Sequence, residues 1–291
     1  MNYLVTVAIF IGIQAIAANG LNVIVGYAGQ ISLGHAAFFG IGAYASALLT
    51  TKAGLNFWEA LPLVLVSTGS IGLLLGMPSL RLREDFLAVT TIGINFIVES
   101  IFQYIPFFGG ALGISNIPAV RLFGTRLRGW PFLGVVAFFL ALSLLTNRKF
   151  TKSCAGLACF AIREEETAAA SMGVSPVRFK LLAFVVGTAM AGVAGALYAH
   201  AMRFIAATDF GFPQSVNFMS MVVLGGIGTL WGPTLGAIIL GILPEVFRPL
   251  IEYRMLINAL ILLLMIRFQP AGILGGSSVL ARMFRRRPQH G

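Results

Sequence analysis

The chain has 291 residues, 58% hydrophobic and 10% charged, against about 25% charged in an ordinary soluble domain. That composition excludes a water-soluble fold and indicates an all-α polytopic membrane protein. The net charge of +10 comes mostly from Lys and Arg in short loops between apolar runs, which marks a cytoplasmic face and implies no nucleic-acid partner.

None of the first fifty-one residues is Asp, Glu, Lys or Arg. A first span is expected from near Tyr3 to Val25; no basic segment or cleavage site precedes it, so it reads as retained. Gly26, Gly29, Gly34 and Gly40 then interrupt the run. Asn22, Gln30, Ser32 and His35 bring polar side chains to a depth where unsatisfied groups are costly. This stretch reads as a broken helix lining a path. The alternative, glycines that only let helices pack closely, does not call for Gln30, Ser32 and His35. Positive φ is expected at Gly29 and Gly34. A short second span, His35 to Thr50, carries a small-residue stripe of Ala36, Gly40, Ala43 and Ala47.

The third span, Ala60 to Leu80, ends at Arg81 and Arg83, a cytoplasmic turn. The fourth, Phe86 to Tyr104, carries Thr90, Thr91, Asn95 and Glu99. Gln30, Ser32 and His35, together with these four, are the candidate path residues. Glu99 lies thirteen residues in, ~20 Å along the helix. It is either a functional carboxylate or one that snorkels or pairs with a loop arginine.

Residues 106–130, rich in Gly, Pro and Arg, read as a structured external loop. The fifth span, Pro131 to Thr146, leads into residues 148–180, which hold six Lys or Arg and no apolar run long enough to cross. This is the principal cytoplasmic loop. Within it one helix is expected from Arg163 to Met172, with Glu164, Glu165 and Glu166 at its start, an exposed face of Ala168, Ala169 and Ala170, and Gly173 as its stop. Ser175 and Pro176 restart a helix. Cys154 and Cys159 lie in this loop without a CxxC pair or histidines at ligand spacing, which argues against a metal or disulfide role.

The sixth span, Leu181 to Met202, spaces Ala183, Gly187, Ala191, Gly195 and Ala199 four apart, a face made for helix packing. Residues 210–244 carry no charge, and Gly225 to Gly236 forms a second glycine break that echoes the first. Paired breaks point to a two-half internal repeat with a binding region at its interface. A last span, Met255 to Ile266, precedes a basic tail from Arg282 to Arg287, expected in the cytoplasm. The reading is one transmembrane domain over residues 1–291 with eight to ten crossings. Nine would place the N-terminus outside.

The segment Thr167-Ala168-Ala169, followed after three intervening residues by Gly173, resembles the coupling segment of ABC importer permeases. Together with Val25 to Tyr44, Arg81-Leu-Arg83, Gly109 to Ser115 and Gly225-Gly-Ile-Gly228, nearly the whole chain resembles the LivM-type permease subunits of branched-chain amino acid ABC transporters. The resemblance implies a subunit of the bacterial inner membrane, paired with a homologous permease, two cytoplasmic ATPase subunits and a periplasmic amino-acid-binding protein. It implies that Arg163, Glu164, Glu165, Glu166, Ala169 and Gly173 couple to the ATPase. No cofactor and no catalysis are expected in this chain, which has no G-x-x-x-x-G-K-[ST] loop; ATP would be used by the partner subunits. Cys154, Leu157 and Phe160 stand where the family carries arginines, and the fourth span lacks the acidic and basic pair usual near Phe96 and Glu99. Two transport alternatives stay open at this point, a urea or short-amide permease and an ion-driven transporter. The second has only Glu99 as an intramembrane carboxylate. An intramembrane enzyme finds His35, His200 and His290 too scattered.

Overall fold

The computed structural model describes residues 3–79, 84–122, 125–246, 263, 267 and 272–275. The expected last span, the turn at Arg81 and Arg83 and the basic tail lie outside the described residues, apart from positions 263 and 267. Among the described residues the protein is mostly helical, and one two-stranded hairpin is its only sheet.

Helix α1 (Tyr3–Asn22) runs on into a π-helical turn, Val23–Tyr27. Gly29, at φ +71°, turns the chain, and Gly34 precedes α2 (His35–Thr51). Helix α3 (Phe57–Ser79) opens with a box at Asn56: its amide oxygen accepts from Phe57 N, and its own N–H donates to the Glu59 carboxylate, both at 2.9 Å. Helix α4 (Glu84–Tyr104) leads into two 3₁₀ turns and the hairpin of β1 (Arg121–Leu122) and β2 (Thr125–Arg126). Pro131 sits in the first turn of α5 (Trp130–Lys152).

Short helices α6 (Cys154–Glu164) and α7 (Glu166–Ser171) follow, then α8 (Pro176–Met202), α9 (Phe212–Gly225) and α10 (Gly232–Val246). Five described stretches are long and apolar enough to cross a bilayer: Tyr3–Tyr27, Phe57–Met77, Phe86–Tyr104, Trp130–Lys152 and Pro176–Met202. Helices α2, α9 and α10, the shorter ones, each adjoin a glycine break.

Helix α8 is the axis, packed against α1, α2 and α3. Its small face is buried as the fourfold spacing requires. A Cβ at Gly187 would stand 2.6 Å from the Gly20 carbonyl oxygen, and one at Gly20 would stand 2.7 Å from that of Gly187. Gly195 is pressed against the Phe39 carbonyl and would meet Ala43 N at 2.8 Å. The small face of α8 thus meets α1 at Gly187 and α2 at Gly195, and Gly42 of α2 lies against Gly192, whereas Gly40 faces Phe210 and Phe102 instead. Dispersion over a close backbone approach takes the place of the hydrophobic drive that helices lack in lipid.

The loop at residues 105–129 is fastened to the far end of α8. Ile114 bridges to Ile205, and Trp58 Nε1 donates to Arg121 O at 3.0 Å. His200 Nδ1 donates to Pro118 O at 2.7 Å, so its Nε2 accepts from the Ser46 hydroxyl at 3.0 Å.

Candidate functional site

The first glycine break lies at one end of the bundle rather than halfway through it. Gly26 follows Tyr3 by about 35 Å at 1.5 Å per residue, more than the roughly 30 Å of a hydrocarbon core. Helix α1 with its π-helical turn is therefore long enough to span the bilayer before the chain turns at Gly29.

The second break meets the first. Asn22 Oδ1 accepts from Gly228 N and Asn22 Nδ2 donates to Thr229 O, both at 2.9 Å. Gly226 and Gly228 have φ of +124° and +78°. Thr229 Oγ1 accepts from Gly232 N at 3.1 Å, seating the first turn of α10.

The path candidates fall into three groups. Gln30, Ser32 and His35 are buried. Gln30 Nε2 donates to Lys180 O at 2.8 Å, and His35 Nε2 donates to Ala17 O at 3.1 Å. A carbonyl can only accept, so the proton is on Nε2 and Nδ1 is an acceptor. Among the described residues, Gln30 Oε1, Ser32 Oγ and His35 Nδ1 are buried without a partner. Thr91 and Asn95 are buried beside them. Thr91 Oγ1 accepts from Leu33 N at 3.1 Å. Asn95 Oδ1 accepts from the Ser215 hydroxyl at 3.0 Å, which in turn accepts from Ala36 N at 2.9 Å. Asn95 Nδ2 donates to Phe210 O at 3.2 Å.

Thr90 and Glu99 stand apart. Thr90 bonds back to Phe86 O at 2.8 Å on a partly exposed side of α4. Glu99 borders the start of α9, where a Cβ at Gly211 would lie 3.2 Å from both carboxylate oxygens, and among the described residues no arginine pairs with it. None of the seven lines the apolar crevice of about 480 Å³ between α2, α3 and α4, whose walls include Ile41, Tyr44, Ile71, Ile94 and Phe102.

Residues 148–180 pack directly under the break. Tyr27 stacks on Phe150 and meets Phe160 edge-on, with ring centroids at 6.3 and 5.5 Å. The Cys159 thiol is buried there and pushed up to about 11 by loss of solvent. Arg163 donates from Nη1 to the Gly26 carbonyl.

The single helix expected from Arg163 to Met172 is two. Glu165 is extended (φ −158°, ψ 106°) and serves as N-cap of α7, its carbonyl accepting from Ala169 N at 3.0 Å. Its carboxylate takes the Thr167 hydroxyl at 2.6 Å, while Glu166 pairs with Lys180 Nζ at 2.6 Å. Ala169 is buried; Ala168 and Ala170 form the exposed small face. Glu164 is exposed beside Arg163 on the last turn of α6. Gly173 (φ +86°) closes α7 as expected. Ser175 precedes α8 without its side chain making the cap bond.

Of four residues that the geometry makes central, sequence reasoning passed over Ser215, Lys180 and Asn19 and named Asn22 without its role. Asn22 ties the two breaks together, Ser215 joins α2, α4 and α9, and Lys180 accepts from Gln30 at its carbonyl and donates from Nζ to Glu166. Asn19 donates to Ser143 and Thr234 at 3.3 and 3.1 Å, linking α1, α5 and α10. For Asn19, Asn22 and Ser215 the available signal was a polar side chain in an uncharged run.

Residues 3–267 match the family described as branched-chain amino acid transport system / permease component. The chain is 38% identical over 295 residues to the high-affinity branched-chain amino acid transport system permease protein LivM of Salmonella typhimurium, covering 93% of this chain and 69% of that protein. LivM of Escherichia coli K12 matches at the same identity and coverage. The permease protein LivH of Escherichia coli K12 is 33% identical over 147 residues, half of this chain and 47% of its own. No solved structure matches. A match from Tyr3 to Arg267, through both glycine breaks and the loop beneath them, shows that this chain belongs to the branched-chain amino acid transport permease family.

Proposed function

We propose that this chain is the membrane-spanning permease subunit of an ABC importer that carries branched-chain amino acids across the bacterial inner membrane. Its relatives are named as branched-chain amino acid permeases. In this reading it pairs with a homologous permease subunit, in the manner that the separate LivM and LivH relatives suggest. Two cytoplasmic ATPase subunits bind and hydrolyse ATP, and a periplasmic binding protein delivers the solute. The chain itself catalyses no reaction and holds no cofactor. It crosses the bilayer eight to ten times as one domain of two related halves, with residues 148–180 as its cytoplasmic coupling loop.

The path is assigned to Gln30, Ser32, His35, Thr91 and Asn95, with Thr90 and Glu99 flanking it on α4. One observation supports this above the others: three polar atoms within six residues, Gln30 Oε1, Ser32 Oγ and His35 Nδ1, are buried without a partner among the described residues. An orphaned buried acceptor or hydroxyl costs about 1–3 kcal/mol. Such a concentration is explained if these atoms gain partners, water or solute, when the break opens. In a cysteine-free transporter, Ser32→Cys and Asn95→Cys should resist a small hydrophilic thiol reagent at rest and react once ATP and loaded binding protein are supplied. Protection of both in every state would overturn the assignment.

The coupling surface is assigned to Glu164 and Glu165 and to the exposed alanines of α7. Glu166, Ala169 and Gly173 hold the loop's own shape, and Arg163 ties the loop to the Gly26 carbonyl. Ala170→Trp should block co-purification with the ATPase at any ionic strength. Glu165→Lys should weaken it in a salt-dependent way.

A further inference from the structure

We propose that Arg163 is the positioning residue through which movement of the coupling loop opens and closes the seam between the two glycine breaks. The proposal rests on the reading of residues 148–180 as the ATPase-coupled loop. It gives that loop a route into the membrane domain other than its covalent link to α8.

Arg163 is the last residue but one of α6; it is exposed on one side, and on the other its stem and Nη1 lie against three glycines from two distant parts of the chain. Its stem passes over Gly29, where a Cβ would come 3.0 Å from Arg163 Cγ. Its Nη1 donates to the carbonyl of Gly26. The same Nη1 would be 2.6 Å from a Cβ at Gly228, and that Cβ would be 3.0 Å from the Gly26 carbonyl oxygen. Any side chain at Gly228 would push the guanidinium out, so the glycines leave room for this arginine as well as for the turn. Among the described residues no carboxylate pairs with Arg163. Its cationic donor is committed to a neutral carbonyl, a contact strong enough to hold and weak enough to release.

The seam has one fixed and one movable tie. Asn22 bonds Gly228 N and Thr229 O from the end of α1 and belongs to the membrane bundle alone. Arg163 belongs to the loop. The loop has a joint of its own: Glu165 is one extended residue between α6 and α7. Glu166 on the far side of that joint is held to Lys180, whose carbonyl receives Gln30. A force on α7 therefore reaches the first break by two routes, through Lys180 to Gln30 and through α6 and Arg163 to Gly26. Only the Arg163 route also touches the second break. Withdrawing the guanidinium frees Gly26 and Gly228 to part about Asn22. That motion would give the orphaned atoms of residues 30–35 access to water.

The test uses the complete transporter in vesicles, with Arg163→Met, Arg163→Lys and, as a control on docking, Ala170→Trp. Arg163→Met should still co-purify with the ATPase, while solute moved per ATP hydrolysed falls about tenfold, the effect of losing one charge-assisted hydrogen bond. Arg163→Lys should recover part of the ratio, since an ammonium reaches one carbonyl but lacks the planar fork. In both variants Ser32→Cys should react with the thiol reagent in the absence of ATP, a readout that a merely structural arginine would not move at an unchanged Tm. If Arg163→Met fails to assemble, Arg163→Lys carries the same two readouts. A parental transport ratio with Ser32→Cys still protected overturns the proposal and leaves the docking reading standing. An Ala170→Trp transporter that assembles and hydrolyses like the parent overturns the docking reading itself.

Discussion

Gly29 and Gly34 stand in the same break and are glycine for different reasons. Gly29 has φ +71°, whereas Gly34 has φ −113°, open to any residue, but a Cβ there would run into the Thr91 carbonyl. The expectation of positive φ holds for the first and fails for the second. Gly29→Ala should cost about 1–2 kcal/mol of left-handed strain beside a close contact with the Arg163 stem, and Gly29→Asn should be milder because Asn relieves the strain, though not that contact. Gly34→Asn should be no better than Gly34→Ala, because the obstacle is a backbone atom that cannot rotate away. Thermal unfolding of the four variants checks both statements, and equal benefit from Asn at the two sites would refute the distinction. The cysteines divide in the same way. Cys154 is exposed, while the Cys159 thiol, pushed up to about 11, is almost wholly protonated at neutral pH. One thiol per chain should alkylate at pH 7.5 in the folded protein, at Cys154, and the second only after denaturation.

Among the elements, α8 is the one whose substitution pattern separates packing from propensity. Gly195→Ala adds one methyl against the Phe39 carbonyl and should lower the folded yield sharply. Gly134, in α5, has nothing within 4 Å of its missing Cβ and no positive φ. Gly134→Ala should therefore leave yield unchanged or raise stability by up to about 1 kcal/mol. A yield for Gly195→Ala equal to that of Gly134→Ala would mean that α2 and α8 do not approach as described. Helix α7 shows the limit of reading a face from spacing. Three successive alanines look alike in sequence, yet a helix places successive residues about 100° apart, so Ala169 turns inward while Ala168 and Ala170 stay out.

For the molecule as a whole, the loop at residues 105–129 and the loop at 148–180 sit at opposite ends of the helix bundle, joined by α5. Leu112 and Met172, 86% and 85% exposed, are therefore suitable probes. In intact cells a membrane-impermeant thiol reagent should label Leu112→Cys and spare Met172→Cys, and in inverted vesicles the order should reverse. Labelling of both from one side would disprove the arrangement. Arg121, Arg126 and Arg128 lie on a loop tied to α3 through Trp58, to α8 through His200 and to the segment after α8 through Ile205.

The five long apolar stretches, the fourfold small stripe of α8 and the glycine interruptions were legible in the sequence because they depend on local quantities: apolar length, helical periodicity and the absence of a Cβ. The family was legible for the same reason, since its motifs are these local features in order. Tertiary structure alone decided that the two breaks meet, because Asn22 and Gly228 are 206 positions apart and no local rule pairs them. It also decided that, of the three exposed residues Arg163, Glu164 and Glu165, Arg163 is the one that reaches the first break, through the Gly26 carbonyl. Side-chain direction at a helix end depends on what lies beneath it, here three glycines that leave room for the arginine. Burial of the path residues was likewise hidden, since a polar side chain in an apolar run shows that a partner is required but not which distant helix brings it.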